Sequence, residues 1–441
     1  MISTNDSFSK FRNNYLAVYL TVMMSDWLQG PYLYALYQSY GFVMFDIAVL
    51  FIIGFVSSAV FGTVVANTAD VCVTIKPPLL NKQVFVVFQC MNLRGRKRMA
   101  LLFCLTSSTA SMIRLTNNFH YLIVSHLLSG LSTALLYCVF EAWYISQHQR
   151  KAFAPALIGA TFSTAIFLNG LVAILAGVVA NLAVEWSGSL ASPFVVSAGT
   201  LVLAALLITS SWEENYGESQ TNRSGSVLKS MLEGLIVLKS DINILSLGMA
   251  QTVFECCMYT FVLLYTPTLE KAIRDSSGRR SLFPLGYLFS AMMFCSMLGS
   301  LAFKFLSNKN YHTDTLLSTA LLVAGSSFSF IVLNNDDASR TILAFLLFEF
   351  TTGMYFPSIG TLRAQAIPEQ NRTGVMAFLR VPMNFAVCAI LLNVDSLPTE
   401  SIFQICSVLC FSGGLVILWR ALDSNRQVGY NPAKMEESHE L

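Results

Sequence analysis

Charged side chains interrupt several of the long apolar segments of this 441-residue chain. A charge held at the centre of a membrane-spanning helix costs about 2.5 to 3.5 kcal/mol on insertion scales, so each one there needs a compensating role. Carboxylates in a wet cavity bind cations or carry protons, and a guanidinium binds oxyanions through its fixed fork of donors. We predict that four acids line such a cavity together with one arginine: Asp26, Glu141, Glu255, Glu349 and Arg380.

Polar neighbours extend these sites along the same helix faces, because residues three or four apart share a face. By this spacing a glutamine or asparagine accompanies two of the acids and the arginine. The predicted substrate-binding side chains are Gln29, Tyr37, Asn169, Gln251, Arg380 and Asn384. The Gly30-Pro31 pair should loosen the first helix, since Pro31 cannot donate a hydrogen bond to the carbonyl of Trp27; the freed carbonyl could bind substrate or water, or the proline could simply kink the helix.

These charged residues allow more than one interpretation of their roles and of the substrate. Each acid taken singly could make a structural hydrogen bond or reach the end of its helix, and Arg380 could be neutralised by Glu141 or Glu349. One arginine against four carboxylates would repel an anion, although crowding of like charges favours protonation of some acids. The substrate is therefore either an anion that enters with protons, or a cationic or polyhydroxyl solute.

The amino-acid composition indicates the environment in which this chain folds. Hydrophobic residues make up 54% and charged residues 12%, against about half and a quarter in an average soluble domain. Most of the chain therefore lies in lipid, and a net charge of +2 gives no polycationic surface for nucleic acid. The sequence shows no glycine-rich phosphate loop, metal-ligand spacing or Ser-His-Asp grouping, so we expect neither a cofactor, nor a metal, nor enzymatic activity.

Apolar segments define the elements that position these residues. A span needs roughly 20 apolar residues to cross the hydrocarbon layer. On that criterion we predict an all-α polytopic membrane protein of about twelve spans in two six-helix halves. The spans are predicted near 13–37, 44–66, 98–115, 119–147, 154–183, 191–211, 243–268, 283–306, 314–333, 341–365, 373–394 and 401–421.

A polar segment at 213–240 divides the predicted halves, 1–212 and 241–441. Within it, apolar residues from Leu228 to Ile236 recur at helical spacing, which predicts an amphipathic helix at the membrane surface. A weak two-fold repeat agrees with two parallel halves, because Asp26 precedes Tyr37 in the first span as Glu255 precedes Tyr265 in the seventh.

Most of the 27 lysines and arginines fall in the termini and the even-numbered loops. Positively charged loops stay cytoplasmic, so both termini should be cytoplasmic. Three Asn-x-Ser/Thr sequons lie in segments assigned to the cytoplasm and should carry no glycan: Asn5, Asn222 and Asn371.

Five motifs carry a resemblance to a known family. They are DWLQGPYLY at 26–34, LSTALL at 131–136, FEAWYI at 140–145, WEENYG at 212–217 and FLRVP at 378–382. These segments resemble the molybdate-anion transporters of the major facilitator superfamily, and the likeness covers nearly the whole chain. It implies a facilitator fold whose cavity is lined by spans one, four, seven and ten, and a monomer that takes up molybdate across the plasma membrane or an internal membrane.

The resemblance also defines an inward-gate loop between spans two and three. Its acid is Asp70 and its basic part is Gly95, Arg96 and Lys97, but 22 residues, 71–92, separate the two parts. This insert predicts altered gate geometry and keeps open a non-transporting sensor or scaffold with the facilitator fold. Thr164 stands where the family often has a basic residue, which shifts the predicted anion contact to Arg380.

Overall fold

The computed structural model describes residues 2–70, 95–215, 236, 241–277, 283–334, 336–367 and 372–429. Side chains are not described at 2–5, 63–70, 276–277, 372–374, 376–378, 380–381 and 423–429. The predicted insert at 71–92 therefore lies outside the described residues. So does the predicted amphipathic helix in the linker, apart from Ile236.

Helices make up the described architecture. In chain order they are α1 (Ile2–Gln29), α2 (Leu33–Ser39), α3 (Met44–Asp70), α4 (Arg96–Ile113), α5 (Phe119–Arg150), α6 (Ala156–Ser187), α7 (Ser192–Ser211), α8 (Ile242–Ser277), α9 (Leu285–Asn308), α10 (Thr313–Leu333), α11 (Ala338–Ala366), α12 (Arg372–Leu392) and α13 (Thr399–Gly429). Counting α1 and α2 as one interrupted helix, these are the twelve predicted spans.

The first span is interrupted at the Gly30-Pro31 pair, where the sequence predicts a loosened helix. A single turn of 3-10 helix, Gly30–Tyr32, separates α1 from α2, and Pro31 lies in this turn. Proline has no N–H for the i to i−4 ladder, so the tighter turn replaces a helical one. The break places Gln29 at the end of α1, directly before the turn.

Length and hydropathy identify an integral, multi-pass membrane protein. Within the described residues, nine helices are long and apolar enough to cross a bilayer. The exceptions have local reasons: α1 contains several polar residues, α4 begins with three consecutive basic residues, and only Pro382–Leu392 of α12 forms a described apolar stretch. Large apolar side chains such as Leu105, Ile166 and Leu206 remain exposed, as lipid-facing positions require.

The chain forms two compact units. Unit 1 comprises Met1–Gly225 and Pro284–Ser290, and unit 2 comprises Ser226–Phe283 and Ala291–Leu441. Aromatic residues dominate both cores. In unit 1 the indole rings of Trp143 and Trp212 stack at 3.7 Å between centroids, and in unit 2 the rings of Phe254 and Tyr355 stack at 3.9 Å.

Candidate functional site

A buried arginine, Arg114, organises the polar interior of unit 1. It directly follows α4, and 7% of its surface is exposed. Its guanidinium donates one hydrogen bond to Gln29 Oε1 and another to Ser129 Oγ, the latter at 2.5 Å. Its Nε is buried with no hydrogen-bond partner. The hydrogen-bond acceptors of this cation are therefore neutral side chains, from α1 and α5.

Gln29 holds the guanidinium in place. Its amide nitrogen donates to the carbonyl of Ser25 at 3.2 Å and to Ser197 Oγ at 2.8 Å. Ser197 Oγ in turn donates to the carbonyl of Ser25 at 2.7 Å. All the hydrogen-bonding groups of the Gln29 amide are thus used, which gives this predicted substrate-binding residue a positioning role towards Arg114.

Asp26 lies one turn before Gln29 on α1, and its side chain is exposed. Its charge interacts with that of Arg114, but the two do not form an ion pair within 4.0 Å. Nearby, the indole N–H of Trp27 donates to Asn169 Oδ1 at 2.9 Å, which links α1 to α6. The structure therefore places Asp26 and Gln29 one turn apart on α1 and brings Asn169 of α6 against Trp27 of the same helix.

Tyr37, the other predicted residue of unit 1, is fully buried on α2. Its hydroxyl lies 2.9 Å from Nε2 of His126 on α5, and it also interacts with the Arg114 guanidinium. Glu141 is further along α5, with an exposed side chain near Tyr15 and Tyr19. The predicted acid of α5 is therefore not part of the Arg114 network.

Unit 2 contains a related pair. Arg363, near the end of α11, donates a hydrogen bond to Oε1 of the buried Gln251 on α8 at 2.8 Å. One turn along α8, Glu255 accepts a hydrogen bond from the hydroxyl of Tyr355 at 3.2 Å. Arg363 also interacts electrostatically with Tyr355, so the same tyrosine links the arginine to the carboxylate.

The remaining predicted residues of unit 2 are more dispersed. Glu349 on α11 is buried, with no hydrogen bond to any described residue, and it interacts with Cys295 of α9. Asn384 on α12 is half-buried. The helix that carries Arg380 is described, but the Arg380 side chain lies outside the described residues. Its predicted contacts with substrate, Glu141 or Glu349 therefore remain predictions.

Two arginines of the polar interiors are missing from the sequence interpretation, which treats Arg380 as the only buried guanidinium. The burial of Arg114 corrects that interpretation, and Arg363 adds a half-buried second example. A signal exists for Arg114. It is a single basic residue at the predicted outer end of span three, against the charge bias that places basic residues in cytoplasmic loops.

The basic part of the predicted gate loop is clasped by the segment that follows α7. We call this contact the inner clasp: residues 95–98 against residues 212–215. The N–H of Arg96 donates to the carbonyl of Asn215 at 2.9 Å, and the N–H of Lys97 donates to Glu214 Oε1 at 2.8 Å. The Lys97 ammonium donates to the carbonyl of Trp212 at 2.7 Å. These bonds satisfy the free N–H groups at the start of α4.

Glu214 is the acid of this clasp in the described residues. Its carboxylate packs over Gly95, which has a φ of +85° and leaves no room for a Cβ. Arg98 adds an ion pair to Glu214 at 3.9 Å. The side chain of Asp70, the acid predicted for this gate, lies outside the described residues, so the predicted Asp70 contact stays a prediction and Glu214 is a partner that the sequence analysis did not identify.

No group of three or more histidine, cysteine, aspartate or glutamate side chains in the described part of the chain could hold a metal ion. The polar interior of each unit instead offers an arginine fixed by a glutamine, with tyrosines and carboxylates nearby. Such an arrangement can bind a small solute through charge and hydrogen bonds.

Comparisons with known proteins agree that the similar proteins are membrane transporters. The sequence profile of a family described as sugar transporters with 12 transmembrane segments matches residues 1–79 and 84–342. A molybdate-anion transporter from Xenopus tropicalis is 34% identical over 416 residues, which cover 92% of this chain and 84% of that relative. One from Danio rerio is 32% identical over 411 residues, which cover 87% and 79%.

Solved structures of low sequence identity share the fold. A peptide transporter, POT, aligns with a TM-score of 0.71 at 14% identity over 95% of both chains. The nucleoside transporter NupG aligns with a TM-score of 0.70 at 10% identity over 92% of this chain and 99% of its own. The chain belongs to the major facilitator superfamily, in the family of the molybdate-anion transporters.

Proposed function

We propose that this chain is a secondary active transporter that takes up molybdate, or a similar small oxyanion, together with protons by alternating access. The relatives that support the substrate class carry the name molybdate-anion transporter and are 32 to 34% identical to the chain. Molybdate is a tetrahedral oxyanion, so its recognition needs hydrogen-bond donors and positive charge at one place.

The observation that carries this proposal is the environment of Arg114. A buried cation is costly unless an opposite charge compensates it, yet the hydrogen-bond partners of Arg114 are the neutral side chains of Gln29 and Ser129. Asp26 interacts with this guanidinium but forms no ion pair with it, so an oxyanion that reaches Arg114 would supply the negative charge in direct contact. Arg380, which the sequence analysis predicts to contact substrate, is the corresponding candidate on α12.

The proposal includes the uptake of protons because four acids are predicted to line the substrate path. Asp26, Glu141, Glu255 and Glu349 would give the substrate path an excess of negative charge when all are ionised, and an anion would be repelled. Uptake of protons with the anion offsets that excess charge, whichever titratable group of the path carries the protons. We further propose that the protein works as a monomer in the plasma membrane, with both termini in the cytoplasm.

A second candidate, a sugar carrier, is favoured by the description of the matching family as sugar transporters. A neutral polyhydroxyl solute would use the amide and hydroxyl groups beside Arg114 and would not need its charge. The two candidates therefore predict different results when the charge of Arg114 is removed.

Uptake of labelled molybdate by a transport-deficient cell tests the proposal. Cells that express the chain should accumulate molybdate, with competition by sulfate and none by glucose. Arg114→Ala should reduce uptake roughly 10- to 100-fold, because hydrogen bonds to a charged group contribute about 1.5 to 3 kcal/mol. Arg340→Ala is the matched control, because Arg340 is an exposed arginine at the start of α11.

The control variant should keep uptake at the level of the unmodified chain, and both variants should reach the membrane in equal amounts. Failure of the unmodified chain to accumulate molybdate would contradict the proposal. Accumulation of glucose that Arg114→Ala leaves intact would favour the sugar carrier.

A further inference from the structure

His126 is a buried titratable residue to which the proposed function assigns no role. It lies in the first third of α5, and 4% of its surface is exposed. Its imidazole Nε2 is 2.9 Å from the Tyr37 hydroxyl. The helix α3 covers the ring with Phe51, whose ring centroid is 6.1 Å away, and with the backbone at Gly54.

The imidazole is connected to the proposed anion site. The Tyr37 hydroxyl interacts with both His126 and the Arg114 guanidinium, so one hydroxyl bridges the two basic groups. Burial and the nearby Arg114 guanidinium both oppose a positive charge on the His126 ring. Among the described residues, the titratable or charged groups around the ring are therefore Tyr37 and Arg114, and Asp26 interacts in turn with Arg114.

This arrangement couples two binding events by electrostatics. Histidine changes its charge in the physiological pH range, unlike the other common side chains. A proton on His126 would place a second positive charge beside Arg114, and the two would repel. An anion held by Arg114 offsets that repulsion, so a bound anion favours the proton and a bound proton favours the anion, to the same extent.

We propose that His126 takes up the proton that enters with an anion bound at Arg114. This inference rests on the proposed function and deepens it, because it assigns the coupling to one residue of unit 1. Asp26 has a different part: its exposed carboxylate competes with the anion for the charge of Arg114. Removal of Asp26 should therefore leave the coupling in place.

The test uses the full-length protein purified and reconstituted in liposomes, with labelled molybdate outside. Uptake is measured with equal pH on both sides and with an acidic exterior. The variants are His126→Gln, which keeps a hydrogen-bonding side chain without a titratable group, and Asp26→Asn. His120→Gln is the matched control, because His120 is an exposed histidine on the same helix.

The unmodified protein should respond to an acidic exterior by up to about tenfold per pH unit, the limit for one proton. Asp26→Asn should keep a response to the gradient because His126 is intact, and the control should respond as the unmodified protein does. His126→Gln should still exchange molybdate at equal pH, but its response to the gradient should fall to about one. A full response in His126→Gln would overturn the inference, whereas absence of molybdate uptake by the unmodified protein would defeat the proposed function itself.

Tyr37→Phe provides a second test if His126→Gln fails to fold, as judged by its thermal unfolding midpoint. It keeps the ring and removes the hydroxyl that lies between His126 and Arg114. We expect the pH at half-maximal uptake to shift relative to the unmodified protein. A pH profile that superimposes on the original would overturn the inference.

Discussion

The two units hold an arginine in the same way but differ in its burial and in how the nearest acid is bonded. In unit 1, Gln29 accepts a hydrogen bond from the buried Arg114, whose other hydrogen-bond acceptor is Ser129, and the exposed Asp26 interacts with Arg114 without forming an ion pair. In unit 2, Gln251 accepts from the half-buried Arg363, and Glu255, one helical turn away, accepts a hydrogen bond from Tyr355. The difference indicates that the cation of unit 1 has only neutral hydrogen-bond acceptors, whereas the acid of unit 2 is already held by a tyrosine.

A similar difference exists where the third and sixth helices of each unit meet. In unit 1, Lys97 at the start of α4 binds backbone carbonyls after α7, and Glu214 binds the N-terminus of α4. In unit 2, Asp314 at the start of α10 pairs with Arg420 of α13 at 3.5 Å. The same helix junction is thus closed through backbone groups in one unit and through an ion pair in the other.

The largest expected effect comes from a matched pair of substitutions that changes only charge. Gln29→Glu places a carboxylate against Arg114 and neutralises it, so molybdate uptake should fall roughly 10- to 100-fold. Gln251→Glu makes the same change in unit 2, where Arg363 is only half-buried, and should reduce uptake by less than about threefold. The measurement is labelled uptake per molecule at the cell surface.

Equal losses of molybdate uptake in Gln29→Glu and Gln251→Glu would contradict the difference between the units, because they would show that both arginines contribute to anion binding. Gln29→Met, which has similar size and no charge, separates neutralisation of Arg114 from loss of the hydrogen bond. It should retain more uptake than Gln29→Glu.

The next effect concerns the helix junctions and stability. Asp314→Ala leaves Arg420, only 14% exposed in its side chain, without its partner, and should destabilise the protein by about 2 kcal/mol. Glu214→Ala removes a cap from α4 and should cost about 1 kcal/mol. Thermal unfolding of the purified variants in detergent measures which substitution lowers stability more. A larger loss of stability for Glu214→Ala than for Asp314→Ala would contradict the account.

The smallest effect is expected for the carboxylate of unit 2. Tyr355→Phe removes the hydrogen bond to Glu255 and keeps the aromatic ring at position 355 stacked on Phe254. The anion is assigned to Arg114 of unit 1, so the loss of this bond leaves the proposed anion contacts intact. Molybdate uptake should stay within about threefold of the unmodified level. A loss as deep as that of Gln29→Glu would assign the anion to unit 2.

The sequence predicts the helices well because the bilayer imposes its own thickness on them. Apolar runs of sufficient length define the twelve helices, and Pro31 marks the break in the first, which the 3-10 turn confirms. These features depend on local composition, so they can be read without knowledge of the packing.

The site is harder to predict because its key contacts join distant parts of the chain. Gln29 and Arg114 are 85 residues apart, and Tyr37 and His126 are 89 apart. Arg114 is placed by the sequence at the end of a span, where an arginine usually reaches solvent. Its inward direction depends on which acceptors on α1 and α5 lie beside it. Glu214 was missed for the same reason, because its partner Lys97 is 117 residues away.

Equilibrium binding of labelled molybdate to the purified protein tests the central claim most directly, with Arg114→Lys and Arg363→Lys compared side by side. A lysine keeps the charge but loses the fork of donors that suits an oxyanion. We predict saturable binding to the unmodified protein, roughly tenfold weaker binding to Arg114→Lys, and unchanged binding to Arg363→Lys. Unchanged affinity in Arg114→Lys would contradict the assignment of the anion to Arg114.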